Sequence, residues 1–313
     1  MAYHVHRRGA MGLRPVYIPP VSVWEGADRM QKVRIVTHSG CDITFKEAKE
    51  NNIIMLPDLV IWGNTQYRNN IDICPDDFYR RLETDPVLPT SAHPSLSDFM
   101  DAFRLASDCQ DIICIVMSSQ MTSTINTATI AAQLLADEGF APRIHIYDSH
   151  QVSFGMGIAV LDAARMAQAG AGVDEILRHL DETVPRIGVY FVMQTLKYAH
   201  KGGRIGAIKA VTADTLGIKP LLVFRDGTVS DISLNRTFRA GIQAIFKKYA
   251  AQASSDPDVF IFHACNEAAA LQLKALIRQE FPQAEPRIEL VGPVVGIYTG
   301  IGCVGIAFKK KEA

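Results

Sequence analysis

The fold is decided by the stretch Ile112-Ile113-Cys114-Ile115-Val116-Met117, which runs directly into Ser118-Ser119-Gln120-Met121-Thr122-Ser123-Thr124. Six consecutive apolar residues, most of them β-branched, predict a buried strand. The hydroxyl-rich segment predicts a loop, and the alanine-rich sequence that continues to Leu135 predicts a helix. A buried strand followed by a loop and a helix is typical of a parallel sheet covered by helices.

The same alternation of strand and helix extends through the first half of the chain. A buried strand is predicted at residues 33–37, and Thr44-Phe45-Lys46-Glu47 has the sequence of a capping box that opens a helix. A further strand is predicted at residues 144–147, ahead of a helix at residues 156–168. Because loops that follow strands host ligands in such sheets, these loops are the first places to look for a site.

The pattern changes near residue 187. Strands predicted at residues 220–224 and 229–233 flank Asp226-Gly227, a dipeptide that favours a tight hairpin, so antiparallel pairing enters the second half. We place a domain boundary near Val184-Pro185. The predicted organisation is an N-terminal arm, an α/β domain with a parallel sheet and a second α/β domain with a mixed sheet, at residues 1–32, 33–184 and 185–313.

Composition limits the classes of function. The 313 residues are 48% hydrophobic and 21% charged, with a formal net charge of −1, as expected of a globular protein with a substantial core. Without a global positive charge, nucleic acid is not an expected partner. No apolar run reaches the roughly 20 residues that a membrane-spanning helix needs. None of the six cysteines forms a C-x-x-C pair, which favours reduced thiols and a cytoplasmic location.

Sequence signatures of common catalytic and cofactor sites are missing. The chain has no G-x-S-x-G elbow, no G-x-x-x-x-G-K-[ST] loop, no G-x-G-x-x-G fingerprint and no H-E-x-x-H pair. No two histidines have the spacing of metal ligands on one helix face, so we expect neither a metal nor another cofactor. His38 and Ser39 lie in the predicted loop after the first strand, and His263 ends a later strand. These three residues remain secondary candidates for a site.

Two hydroxyl clusters and one glycine motif remain as candidates for ligand binding. Five of the seven residues from Ser118 to Thr124 carry hydroxyl groups, more than one helix cap requires, and a second cluster surrounds Thr90 and Ser91. Neutral hydroxyl donors would suit a polar ligand group. Lys201-Gly202-Gly203-Arg204-Ile205 could hold an anion, although glycines after a helix are more often a cap.

Several motifs, taken in order, resemble the DegV family. Together they span about residues 33–309 and are specific as a set. They are Thr37-His38-Ser39, Pro89-Thr90-Ser91-x-x-Pro94-Ser95, Ser118-Ser119-x-Met121-x-x-Thr124-x-Asn126-x-Ala128, Asp148-Ser149, Lys201-Gly202-Gly203-Arg204-Ile205, Gly292-Pro293 and Gly296-x-x-Thr299-Gly300.

The resemblance implies a fold and a ligand. The fold is a three-layer α/β/α domain with a parallel sheet, joined to a smaller two-layer α/β domain with a mixed sheet. A long-chain fatty acid would lie between the domains, and in some relatives a separate ATP-dependent kinase phosphorylates its carboxylate. The implied ligand-binding residues are Thr90, Ser91, Ser118, Ser119, Thr122 and Thr124, of which Thr90 and Ser119 would hold the carboxylate. The residues implied near the phosphate or kinase are Arg204, Arg236 and Tyr298.

Three positions depart from the family pattern. His38 replaces an aspartate, Ser123-Thr124-Ile125 replaces Gly-Thr-Tyr, and Tyr298 stands where the family has a histidine. A phenol titrates at a far higher pH than an imidazole, which weakens the expectation of a kinase partner.

Three functions follow from these observations. The favoured one is a cytoplasmic, non-enzymatic carrier of a long-chain fatty acid. The alternative is a phosphotransferase or hydrolase that acts on a small metabolite, with His38 or His263 as the base. A third is a sensor whose N-terminal arm contacts a protein partner.

Overall fold

The structure is a computed structural model that describes residues 32–204 and 218–312. The predicted N-terminal arm, apart from Lys32, and Ile205 of the glycine motif lie outside the described residues.

The first sheet is parallel and has the strand order β2-β1-β6-β7. Every residue of β1, β2 and β6 is buried, because helices cover both faces of the sheet. The predicted strand around Ile112 is β6, one of its two central strands. The four strands are β1 (Val33–His38), β2 (Ile53–Leu56), β6 (Asp111–Val116) and β7 (Arg143–Asp148). The helices of this half are α1 (Phe45–Glu50), α2 (Pro75–Thr84), α3 (Leu96–Leu105), α4 (Thr124–Asp137), α5 (Ser153–Gln168) and α6 (Val173–Thr183).

A small antiparallel sheet of order β4-β3-β5 is inserted between β2 and α3. This sheet was not expected from the sequence, since its strands are short and β5 consists of the polar run Thr90–Ala92. The other two strands are β3 (Leu59–Trp62) and β4 (Thr65–Arg68).

The second sheet is mixed, with the order β10-β9-β8-β13-β11-β12, and only β11 and β12 pair in parallel. The predicted hairpin is present: Asp226 and Gly227 have φ values of 50° and 76° and connect antiparallel β9 and β10. The strands are β8 (Ile187–Val192), β9 (Lys219–Arg225), β10 (Thr228–Asn235), β11 (Phe260–His263), β12 (Arg287–Leu290) and β13 (Val304–Lys309). The helices are α7 (Lys197–Lys201), α8 (Phe238–Gln252), α9 (Glu267–Glu280) and α10 (Pro293–Thr299).

Helix α5 lies between the two sheets and joins their cores. It packs on β1 on one side and on β8 and β13 on the other. Phe154 at its start stacks on Phe260 and Phe262 of the second sheet, with ring centroids 5.4 and 5.8 Å apart. Helices α3 and α4 cover the outer face of the first sheet, and α8 and α9 cover that of the second. The molecule is therefore a three-layer α/β/α domain joined to a smaller α/β domain with a mixed sheet.

Buried charges also connect the two halves. The Lys309 ammonium lies 2.7 Å from a carboxylate oxygen of Asp162 on α5 and 2.8 Å from one of Asp256. Burial lowers the pKa of Lys309, but the two carboxylates outweigh this effect and raise it overall. Arg165 of α5 makes a bidentate contact with Asp258. These pairs fix the orientation of α5 against the second sheet.

Local signals in the sequence placed several helix starts correctly. Ser95 and Asp98 form the reciprocal bonds of a capping box, and Thr44 accepts a hydrogen bond from the Glu47 amide. Helix α5 begins at Ser153, three residues before the predicted start. The boundary near Val184-Pro185 remains a prediction, and the strands of the second sheet all follow it. No helix in the described ranges is long and apolar enough to cross a bilayer.

Candidate functional site

A cavity of about 350 Å³ lies between the two halves of the molecule. Its volume falls within the range typical of small-molecule sites, ~300–1,000 Å³. The wall is mainly apolar and comes from the loop after β6, from β8, from the β9–β10 hairpin and from α10. Its apolar residues are Ala92, Met117, Met121, Val152, Phe191, Met193, Ala199, Phe224, Val229, Val294 and Val295.

The polar residues of the wall are here called the polar end: they are Ser91, His93, Thr122, Ser123, Thr124, Arg204, Tyr298 and Thr299, together with the buried pair His38 and Asp58. The Ser91 hydroxyl lies 2.7 Å from the Tyr298 hydroxyl, and His93 Nε2 lies 3.2 Å from Ser123 Oγ. These two contacts join β5 to α10 and to the loop after β6. Thr299 adds another hydroxyl to the lining. The polar end can therefore hydrogen-bond a small polar head group.

Arg204 is the one permanent cation among the described residues of the cavity wall. Its guanidinium carbon lies 5.2 Å from the centre of the Tyr298 ring, within the range of a cation–π contact. A side chain on Gly202 would place its Cβ 2.5 Å from the same ring, so this close approach requires glycine. Gly203 has a φ of 70° just after α7, as in a helix cap. The two glycines thus hold Arg204 against Tyr298.

Some residues of the hydroxyl-rich loop after β6 line the cavity, and others make hydrogen bonds within the protein. Thr122 and Thr124 line the cavity, and their hydroxyl oxygens lie 2.9 Å apart. Ser118 is fully buried and donates its hydroxyl proton to the Gly227 carbonyl, 2.7 Å away. Ser119 is exposed, and its backbone amide bonds to Asp148. Neither serine is part of the cavity wall.

Thr90 lies outside the cavity as well. It is exposed and lines a neighbouring outer pocket of about 590 Å³, which shares Ser91, Arg204 and Tyr298 with the cavity. The structure therefore does not bring Thr90 and Ser119 together at the polar end, where the resemblance had placed them. Arg236 is exposed between β10 and α8, also away from the cavity wall.

His38 has a structural role that argues against its use as a base. It ends β1 instead of lying in the following loop, and it is 1% exposed. The Met117 amide donates to Nε2 across 3.0 Å, so the ring proton is on Nδ1, which donates to Asp58 at 2.8 Å. The lone pair that a base needs is already occupied. Ser39 is equally engaged, since its hydroxyl donates to Asp58 and accepts from Asn69.

His263 does not line the cavity, whereas His38 does. Its Nδ1 accepts a hydrogen bond from the Asn266 amide, and burial lowers its pKa. Within residues 32–204 and 218–312, no group of three histidine, cysteine, aspartate or glutamate side chains could hold a metal ion.

Asp42 joins the first domain to the start of α10. Its carboxylate accepts a hydrogen bond from Ser153 at 2.5 Å and one from the Gly292 amide at 3.2 Å. Burial raises the pKa of Asp42 to about 7, despite the two hydrogen bonds, which lower it. Because Gly292 precedes the helix that carries Tyr298, this carboxyl group helps to position the polar end of the cavity.

Most residues of the cavity wall could not be identified from the sequence. Apolar residues such as Met117, Met193 and Phe224 look like ordinary core residues until the two sheets are assembled. His93 and Thr299 carried a weak signal, because each lies within a motif of the family resemblance.

Known proteins confirm the family. The profile of the DegV family, described as an uncharacterised protein family, matches residues 32–311. A DegV domain-containing protein from Halalkalibacterium halodurans is 32% identical over 283 residues, covering 89% of this chain and 99% of the relative. A relative from Caldanaerobacter subterraneus is 29% identical over 285 residues, covering 90% of this chain and all of the relative.

Solved structures confirm the fold. The DegV fatty acid binding protein of Bacillus subtilis superposes with a TM-score of 0.79 at 23% identity, over 90% of this chain and 100% of that one. A DegV family protein from Thermus thermophilus, described by its fatty acid binding, gives 0.81 at 24% identity, over 89% and 99%. A stearic acid-binding protein from Eubacterium ventriosum gives 0.79 at 21% identity, over 89% and 98%. The two-domain architecture, the motifs and the family profile agree: this chain belongs to the DegV family.

Proposed function

We propose that the protein binds a long-chain fatty acid, with the acyl chain in the cavity and the carboxylate at its polar end. The observation that carries this proposal is the composition of the wall: apolar side chains surround most of the cavity, and hydroxyl groups make up much of the polar remainder. Such a wall matches a ligand with a long apolar tail and a small polar head.

The energetics favour an acyl chain in the apolar part of the cavity and a carboxylate at its polar end. Each buried methylene contributes roughly 0.8 kcal/mol, so a long tail supplies most of the affinity and the head group needs only orientation. The hydroxyl groups of Ser91, Thr122, Ser123 and Thr124 are the proposed carboxylate donors. Hydroxyl donors leave a carboxylate oxygen free, whereas a bidentate arginine would engage both oxygens.

Structural relatives support the ligand class. The proteins from Bacillus subtilis and Thermus thermophilus are described as fatty acid-binding, and the one from Eubacterium ventriosum as binding stearic acid. The same two-domain fold here encloses a cavity of matching character. We therefore propose a binding protein and not an enzyme, since the two candidate bases, His38 and His263, are engaged or outside the cavity wall.

We further propose that the protein works in the cytoplasm and presents its acid to a separate ATP-dependent kinase. The exposed Arg204 and Arg236 would contribute to the surface that meets the kinase. The test is whether an acyl phosphate forms only when both a kinase and ATP are supplied, and whether Arg204→Ala abolishes it. Acyl phosphate formed without added kinase would contradict this step.

Solvent extraction of the purified protein, followed by mass spectrometry, tests the binding proposal. A long-chain acid should be released in near-stoichiometric amount. The double variant Ser91→Ala/Thr122→Ala should lose most of it, because both side chains line the polar end. Thr90→Ala/Ser119→Ala is the matched control: it also removes two hydroxyls, but from exposed positions outside the wall. Equal occupancy in the two double variants would refute the assignment of the head group.

A further inference from the structure

The cavity extends along strand β8, and the order of residues on this strand gives its direction. Phe191 and, directly after the strand, Met193 line the cavity. Met193 leads into α7, which packs against α10, the helix that carries Tyr298. Phe224 of β9 also lines the cavity, but it lies opposite Val189. Because a strand rises about 3.3 Å per residue, the level of Phe224 is about 13 Å from that of Met193. Along β8, Phe224 therefore stands at the end of the cavity away from Tyr298.

A second space, here called the seam pocket, opens at the level of Phe224. Strands β8 and β9 pair as far as Val189 and Phe224. Beyond this point the start of β8 pairs with β13, while β9 runs into its hairpin with β10. The seam pocket lies in the resulting gap and is lined by Ile187 and Gly188 of β8 and by Gln151 of the first domain. Its volume, about 350 Å³, equals that of the cavity.

The partition between the cavity and the seam pocket is thin. Among the described residues, Phe224 is the one that lines both spaces. In two further segments, chain neighbours line opposite spaces: Val152 lines the cavity and Gln151 the seam pocket, and Phe191 lines the cavity and Tyr190 the seam pocket. Phe224 is 2% exposed, so its ring is held by the surrounding core. A buried phenyl group thus closes the cavity at this end.

We propose that Phe224 sets the greatest length of acyl chain that the protein binds, by closing the cavity against the seam pocket. This inference rests on the fatty acid binding proposed above. Each methylene that enters the apolar cavity raises the affinity about fourfold. A chain that already reaches Phe224 gains nothing from further methylenes, because these would stay in water or would have to displace a packed ring. Affinity should therefore rise with chain length up to a limit, and Phe224 should fix that limit.

Competition among fatty acids of different length tests the proposal. The full-length protein, freed of bound lipid, is offered an equimolar mixture of straight-chain saturated acids, and the bound acids are extracted and quantified by mass spectrometry. In Phe224→Ala the chain can continue into the seam pocket. The most strongly bound acid should therefore be at least about two carbons longer than in the wild type, with a gain of about fourfold per newly buried methylene. Phe224→Leu should shift the preferred length in the same direction by less. It carries the test if the alanine variant does not fold, since it leaves a smaller void in the core.

Phe191→Leu is the matched control. It makes the same change on the same face of the sheet, but at a position beside the acyl chain and not at its end. The preferred chain length of this variant should equal that of the wild type.

Each result decides the proposal. A longer preferred acid in the Phe224 variants, with no change in Phe191→Leu, supports it. The same preferred length in the wild type and in every folded Phe224 variant, or an equal shift in Phe191→Leu, overturns the role of Phe224 and leaves fatty acid binding intact. A wild-type protein that takes up no acid of any length overturns the proposed function and, with it, this inference. Circular dichroism of each variant confirms that it is folded.

Discussion

Replacing Asp42 with asparagine should stabilise the protein, and the gain should grow with pH. Asp42 is 7% exposed, and burial raises the pKa of its carboxyl group from 3.8 to about 7. The folded state therefore holds the proton more tightly than the unfolded chain does. The stability that Asp42 contributes is fully present below about pH 3.8 and is lost as the pH rises through about 7.

The size of the effect follows from the two pKa values. At about 1.36 kcal/mol per pKa unit, the difference between 3.8 and about 7 amounts to ~4 kcal/mol. Asparagine carries no charge at any pH and can still accept the hydrogen bond from the Gly292 amide. The backbone also permits it, because Asp42 has a φ of 58°, a region that asparagine tolerates well.

Urea unfolding of the wild-type protein and Asp42→Asn, at pH values from about 4.5 to 8, measures the effect. The free energy of unfolding of the variant, relative to the wild type, should rise by about 3 kcal/mol across this interval, most of the full difference. Asp226→Asn is the control: it is also an aspartate at positive φ, but it is exposed in the hairpin turn. A difference between wild type and Asp42→Asn that stays constant with pH would refute the reasoning.

Three further outcomes follow from the cavity and the buried ion pairs. Met121→Asp should weaken fatty acid binding at least tenfold, because the new carboxylate would lose its hydration against the acyl chain and repel the carboxylate of the ligand. Ile130→Asp, on an exposed helix face, is the control and should leave binding unchanged. Displacement of a fluorescent fatty acid measures binding by both variants. Lys309→Met should lower the free energy of unfolding by about 2 kcal/mol in urea titrations, because it removes the ammonium group shared by Asp162 and Asp256, while Arg165 still lies beside Asp162. Tyr298→Phe should weaken binding only about fivefold in the same displacement assay, since it removes one hydroxyl bonded to Ser91 and keeps the ring under the guanidinium.

The parts of the fold that depend on local sequence could be predicted. The apolar run of β6, the Ser95 capping box and the Asp226-Gly227 turn each act within a few residues, and the structure has all three where they were expected. The three-stranded sheet could not be predicted in the same way, because polar β5 is a strand only through pairing with β3. The cavity depends on contacts between segments about 200 residues apart, such as Ser91 with Tyr298.

Thr90 and Ser119, the hydroxyl pair expected from the sequence, both lie outside the cavity wall. Once Thr90, Ser91 and Ala92 are recognised as a strand paired with β3, their side chains must alternate between the two faces of the small sheet. The alternation alone does not select the lining residues, since the neighbours Ser91 and Ala92 both line the cavity and Thr90 lines the outer pocket. After β6, Met117 lines the cavity, Ser118 is committed to the Gly227 carbonyl and Ser119 is exposed, and the chain reaches the cavity again from Met121 onward. The motifs identified two segments that line the cavity, but the backbone geometry of each segment decides which of its hydroxyls face it.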